Sequence, residues 1–174
     1  MRAKGFVPSG AILRNRIILI ILLIIVIISL RFLYSYGRDK ALNTIPKDGK
    51  LKFTVQFCSA DLIQNSSVGN NWSFQANVNG KKIKEGRKIN ITTTINDKLS
   101  FTGNAKERDL VSDVGSASIS VIIKDLKLPE KNTYFIDVTV AENRGKYLGN
   151  TALWKFNFSV IRKVSLLDII NNIF

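Results

Sequence analysis

An uninterrupted apolar run near the N-terminus limits what this chain can fold into more than any other feature. Residues 17–28 are all Ile, Leu or Val. A helix formed by them has no polar face, which argues against a soluble core helix. Arg31 interrupts the apolar character, and Phe32 to Tyr34 resume it. As a helix, residues 17–34 extend about 27 Å, close to the thickness of a bilayer's hydrocarbon core. The run predicts a transmembrane helix over residues 17–34, with the lipid bilayer as its partner.

The same run also has the length of the apolar region of a secretory signal peptide. Ser35, Tyr36 and Gly37 form a small-x-small cleavage site, but bulky Tyr34 precedes it and Arg38 follows it. An uncleaved anchor is therefore the preferred interpretation. A secreted β-sandwich binding protein, released by cleavage near Gly37, is the alternative.

Positive charge is concentrated around this run. The chain has 26 basic and 13 acidic residues, and residues 1–50 hold nine of the basic but only two of the acidic ones. Arg14 and Arg16 directly precede the run, which favours a basic cytoplasmic tail over residues 1–16. We therefore expect a single-pass protein of the cell membrane, with the C-terminal domain outside the cytoplasm.

The rest of the chain has the pattern of an all-β domain. Residues 35–50 are polar and contain glycine and proline, which predicts a tether. Between residues 51 and 163, apolar and polar residues alternate in seven or eight segments, and Asn79-Gly80 predicts a tight hairpin. Together these features predict an antiparallel β-sandwich, Ig-like or C2-like in broad shape, of seven to eight strands.

Composition excludes several kinds of catalytic site. The chain has no histidine and one cysteine, Cys58, so Ser-His-Asp triads, Cys–His pairs, histidine-based zinc sites and internal disulfides are excluded. It also lacks glycine-rich phosphate loops and nucleophile motifs. We expect that the protein is not an enzyme. The remaining enzymatic alternative is a carboxylate-based hydrolase that uses Glu107 with Asp109 or Asp113.

An acidic loop, "NAKERDLVSDVGS", contains Glu107, Asp109 and Asp113 at one end of the predicted sandwich. The stretch resembles acidic loops of C2-like bacterial domains. Calcium takes about six to eight oxygen ligands, so the three carboxylates form a candidate calcium site. Lys106 and Arg108 interleave with them and favour a solvated loop instead. No other cofactor is expected.

A basic hairpin, "NGKKIKEGRK", contains five cationic side chains: Lys81, Lys82, Lys84, Arg87 and Lys88. On a membrane-anchored domain they form a candidate contact for anionic headgroups or an acidic envelope polymer. The alternative is a solvated strand edge on which lysines prevent aggregation. No interleaved aromatic residues accompany the charge, so nucleic acid is not an expected partner.

The tail, residues 164–174, breaks the strand pattern and predicts a short amphipathic helix. Ser165 and Asp168 have the spacing of a helix cap. The apolar residues at helical spacing, which are candidate partner contacts, are Leu166, Leu167, Ile170, Ile173 and Phe174. Such a short helix is unstable alone in water. Its apolar face must therefore contact the protein's own domain, the membrane surface or a partner protein.

These features predict a membrane-anchored cell-envelope protein. Its extracytoplasmic β-sandwich would bind an unidentified protein or envelope polymer, or support an assembly. Heavy use of Ile, Lys and Asn suggests an AT-rich bacterial genome.

Overall fold

The computed structural model describes residues 9–109 and 111–173. The chain divides into two compact units, residues 1–41 with 165–174 and residues 42–164. The described residues form one long apolar helix, two antiparallel four-stranded sheets and a short C-terminal helix. The predicted all-β sandwich with an N-terminal apolar helix is thereby confirmed.

The long helix, α1, spans Ser9–Asn43. The side chains of residues 17–28 are all exposed, and the most apolar window has a mean hydropathy of 3.1 with none of it buried. Within the described part of the chain, α1 is the one helix long and apolar enough to cross a membrane. A helix can lie in the hydrocarbon core of a membrane because its backbone hydrogen bonds are satisfied within the helix.

α1 also includes residues 35–43, which the sequence pattern assigns to the tether. Gly37 within a helix costs only about 1 kcal/mol relative to alanine, and no proline occurs between Ser9 and Ile45. In addition, Ala41 and Leu42 are buried. The segment between α1 and the first strand is therefore shorter than the predicted tether.

Arg162 binds the backbone at the end of α1. Its guanidinium donates hydrogen bonds to the carbonyl oxygen of Leu42 and, at 2.5 Å, to that of Thr44. The last carbonyls of a helix have no partner within the helix, so a buried arginine is a suitable donor for them.

The short helix, α2, spans Leu166–Asn171 and belongs to the same unit as most of α1. The Asp168 N–H donates to the Ser165 hydroxyl at 3.2 Å, and the Ser165 N–H donates to the Asp168 carboxylate at 2.8 Å. This reciprocal pair is a capping box, and it confirms the predicted helix start.

The second unit is the β-sandwich. One sheet has the strand order β4–β1–β8–β7, the other has the order β3–β2–β5–β6, and all neighbouring strands are antiparallel. The strands are β1 Lys50–Asn65, β2 Trp72–Val78, β3 Lys81–Ile83, β4 Lys88–Thr94, β5 Lys98–Glu107, β6 Val114–Ile122, β7 Asn132–Ala141 and β8 Thr151–Lys163.

Aromatic side chains from both sheets fill the core. Phe101 on β5 and Phe158 on β8 are fully buried, with ring centroids 5.1 Å apart. Gly103 on β5 lies against Phe156 on β8, and a Cβ at Gly103 would come within 2.8 Å of that ring. The two sheets therefore approach so closely that only glycine fits there.

The predicted hairpin at Asn79-Gly80 is confirmed. It joins β2 to β3, and both residues have positive φ values, 48° and 77°. Asparagine and glycine tolerate this conformation better than other residues, which is why the dipeptide indicates a tight hairpin turn.

Candidate functional site

The three carboxylates of the acidic loop occupy different environments. Glu107, the last residue of β5, is 1% exposed and Asp113 is 3% exposed, whereas Asp109 lies on the surface. The Glu107 N–H donates to the Asp113 carbonyl oxygen at 2.9 Å and closes the loop. The structure thus brings two of the three residues together at the backbone and leaves Asp109 in solvent.

The side chain of Glu107 packs against Gly69. Gly69 has a φ of 102°, and a Cβ there would lie 2.5 Å from Glu107 Oε1. Oε1 is buried and has no hydrogen-bond partner among the residues that the structure describes. Burial of an unpaired carboxylate oxygen costs stability. Because Glu107 is almost wholly buried, a ligand approaching from solvent has little access to it.

Asp113 is held by the β7–β8 loop. Its Oδ1 accepts hydrogen bonds from the Asn143 backbone N–H at 3.2 Å and from the Asn143 side-chain amide at 2.9 Å. The neighbouring Glu142 faces the same carboxyl group. Partial burial raises the pKa of Glu142, and the negative charges of Asp113, Asp109 and Glu107 raise it further. Sequence reasoning missed Glu142, since it lies on a different loop from the other three.

The carboxylates of the acidic loop do not form a metal centre with other ligand side chains in the described part of the chain. Over residues 9–109 and 111–173, no three or more Asp, Glu, His or Cys side chains are placed to hold a metal ion. The hydrogen bonds from Asn143 also occupy Oδ1 of Asp113. Calcium binding by this loop stays a hypothesis, and a solvated loop remains the preferred interpretation.

The basic hairpin connects one edge strand to another. β3 is an edge strand of one sheet and β4 is an edge strand of the other. Residues 84–87 therefore connect the two sheets. Lys81, Lys82, Lys84, Arg87 and Lys88, the five cationic side chains, are all exposed, whereas Ile83 is buried. The Gly86 N–H donates to the Phe57 carbonyl oxygen at 2.8 Å. The backbone of this segment is therefore held against β1, while its five cations face solvent.

The candidate contact residues of the tail differ in their exposure to solvent. Leu166, Leu167 and Ile170 are exposed, at 65%, 66% and 44%. Ile173 is half-buried and Phe174 lies outside the described residues. Ile169 is 3% exposed, and sequence reasoning missed it as the main buried residue of this helix.

The buried side of α2 packs on α1. A Cβ at Gly37 would lie 2.6 Å from Ile173 Cγ1 and 3.0 Å from Ile169 Cγ2. Glycine thus allows the two helices to approach closely, as small residues do between membrane helices.

Comparison with known proteins gives no relative from which a role could be transferred: neither a scan against protein-family models nor a search of curated proteins finds a match to this chain.

Proposed function

We propose that this chain is a membrane-anchored bacterial cell-envelope protein whose extracytoplasmic β-sandwich is a binding or assembly module. The observation that carries the proposal is the exposed apolar surface of α1, all of whose side chains from residue 17 to residue 28 are exposed. Exposure of that much apolar surface to water is strongly unfavourable, whereas a bilayer accommodates it.

The packing around Gly37 supports an uncleaved anchor over the secreted alternative. Gly37 is buried within α1, and Ile169 and Ile173 of the C-terminal tail contact it. Cleavage after Gly37 would cut the helix and remove the surface on which these two isoleucines pack.

The basic hairpin is the surface that we assign to an anionic partner. Its five cations project from a backbone that is hydrogen-bonded to β1. Near an anionic surface each such charge contributes about 1 kcal/mol to binding. The hairpin therefore suits headgroups of a facing membrane or an acidic envelope polymer.

The hydrolase alternative has weaker support. Glu107 and Asp113 are buried, and Asp113 accepts two hydrogen bonds from Asn143. A glycosidase needs two carboxyl groups that both reach the substrate. Among the candidate residues, only Asp109 is exposed.

Topology is tested with protease on intact spheroplasts. The sandwich should be digested from outside, while an epitope tag placed at the N-terminus should be protected until the membrane is permeabilised. Protection of the sandwich in intact spheroplasts would reverse the orientation and would overturn the envelope role.

The basic surface is tested by neutralising three of its charges. Full-length protein in nanodiscs carrying Lys81→Gln, Lys82→Gln and Lys84→Gln should bind phosphatidylglycerol vesicles roughly a hundredfold more weakly than the parent. The control neutralises three other exposed lysines, Lys124, Lys127 and Lys131. Equal weakening by both sets would show that only net charge matters, and the hairpin would lose its assignment.

A further inference from the structure

We propose that α2 is a second membrane-contacting element, and that Leu166, Leu167 and Ile170 enter the lipid interface where α1 leaves the bilayer. This inference rests on the proposed membrane anchoring by α1. It assigns the lipid surface as the partner of a helix face that nothing covers in the described part of the chain.

α2 uses only one of its two apolar sides for packing within the protein. Ile169 is almost fully buried, and it contacts the Gly37 position together with Ile173. Leu166 and Leu167 are about two-thirds exposed and Ile170 is nearly half exposed. α2 has only six residues, too few to be stable as an isolated helix in water. Contact of its exposed side with a second apolar surface would stabilise it.

The packing contact places α2 at the level of the membrane boundary. Gly37 lies three residues beyond Tyr34, the last residue of the apolar segment, which is about 4.5 Å along the helix axis. Cα–Cβ bonds tilt toward the N-terminus of a helix. Side chains packed at the Gly37 Cβ position are therefore displaced toward the apolar segment.

The neighbouring aromatic residues indicate the same level. Tyr34 and Tyr36 are exposed on α1, at 50% and 53%. Tyrosine is enriched at the membrane–water interface, where its ring contacts lipid and its hydroxyl contacts water. Because the tail packs on α1 at Gly37, one residue beyond Tyr36, the exposed apolar side of α2 lies near the level of these tyrosines, where lipid is the apolar surface available to it.

The charge pattern fits the same location. The exposed face of α2 has no basic residue, but Arg31 and Arg38 on α1 flank the boundary and can contact lipid phosphates. The polar groups of α2 form local bonds instead. Asp168 binds Ser165, and the Asn172 side-chain amide donates to the Asp168 carbonyl oxygen at 2.8 Å. Local pairing of these groups reduces the cost of placing the helix in an interface about 5–10 Å deep.

The test measures lipid contact at single spin labels on the full-length protein. Cys58→Ser provides a cysteine-free parent, and the protein is placed in nanodiscs of phosphatidylcholine and phosphatidylglycerol with one copy per disc. Labels are attached through Leu166→Cys, Leu167→Cys or Ile170→Cys. Leu22→Cys on α1 is the lipid reference, and Arg144→Cys in an exposed loop of the sandwich is the water reference. The readout is the collision rate with oxygen, which partitions into lipid, relative to that with a water-soluble nickel complex.

We expect the three labels on α2 to show an oxygen-to-nickel ratio severalfold above that of Arg144→Cys and between the two references. If Leu22→Cys is lipid-exposed but the α2 labels match the water reference, α2 does not contact the membrane and the inference fails, although the anchor stands. If Leu22→Cys also matches the water reference, the anchor itself is refuted. If the α2 labels become shielded from both reagents only with two copies per disc, the face is an interface between copies, which would likewise overturn the lipid assignment.

Discussion

α1 and the β-sandwich contain the same kinds of apolar residue in opposite environments. In α1 the Ile, Leu and Val side chains of residues 17–28 are exposed, whereas in the sandwich Val55, Leu99 and Val138 are fully buried. The difference follows from the sequence period. Continuous apolar sequence gives a helix without a polar side, which a lipid bilayer accommodates better than water, and alternation gives strands with one face for the opposite sheet. Pattern, more than composition, determines which environment each region needs.

The largest expected effect comes from removing a ring from the sandwich core. Phe158→Ala should lower the free energy of unfolding by about 3–5 kcal/mol, because a cavity replaces a buried ring. Ile24→Ala in α1 is the matched control and should leave the unfolding of the sandwich unchanged. Tryptophan fluorescence measures this unfolding selectively, because the chain's two tryptophans, Trp72 and Trp154, pack together in the sandwich with ring centroids 5.4 Å apart. Equal effects of the two substitutions would contradict the separation into two units.

A smaller effect is expected from filling the two close approaches. Gly103→Ala should destabilise the sandwich by about 1–3 kcal/mol, because the new Cβ clashes with Phe156. Gly37→Ala introduces a similar clash, but with Ile173 and Ile169 of the tail. Gly37→Ala should therefore leave the melting temperature of the sandwich, measured by tryptophan fluorescence, unchanged. It should increase the rate of amide hydrogen exchange in residues 166–171. A lower melting temperature of the sandwich in Gly37→Ala would show that the packing of the tail and the stability of the sandwich are coupled. That result would contradict the separation into two units.

Glu142 gives a pH-dependent difference within the sandwich. Its pKa is raised above the ordinary value of 4.5, so the folded state binds more protons than the unfolded state just above that pH. Stability should consequently fall as pH rises through the interval between the ordinary and the raised pKa. Glu142→Gln should remove this decline and melt higher than the parent at neutral pH. Thermal melts from about pH 4 to pH 7, with Glu130→Gln as the exposed control, measure the effect. A parent whose stability rises over this interval in the same way as Glu142→Gln would contradict the assignment.

The smallest effect is expected from calcium. If Glu107, Asp109 and Asp113 shared an ion, millimolar calcium would raise the melting temperature by binding the folded state. Since Asp109 is exposed and the other two are buried, we expect the same melt in chelator and in excess calcium. A rise that Asp109→Asn abolishes would instead establish the site.

Several elements were predictable because their signal is local. The apolar run, the strand alternation, the Asn79-Gly80 turn and the Ser165 cap each depend on residues close in sequence, and the structure contains all four. The irregularities of β1 were not predictable. Its pairing with β8 shifts register between Phe57 and Ser59 and again between Leu62 and Gln64. Such bulges depend on the neighbouring strand as well as on β1 itself.

The missed site residues depend on contacts between distant segments. Glu142 joins the acidic group only because the β7–β8 loop reaches the one after β5. Similarly, Ile169 is buried because Gly37, more than a hundred residues earlier in the chain, leaves room for it. Helical spacing identified an apolar tail but could not determine which side would face α1. The extension of α1 to Asn43 was missed because polar residues with one glycine look like a tether when the burial of Ala41 and Leu42 is unknown.

Whether α1 is an uncleaved membrane anchor is measured by the intact mass of the protein purified from a membrane fraction that has been washed at alkaline pH. We expect the protein to stay with the washed membranes and its mass to include residues 17–37. A protein released by the wash, with a mass that corresponds to a chain beginning at Arg38, would contradict the anchor and would establish the secreted alternative.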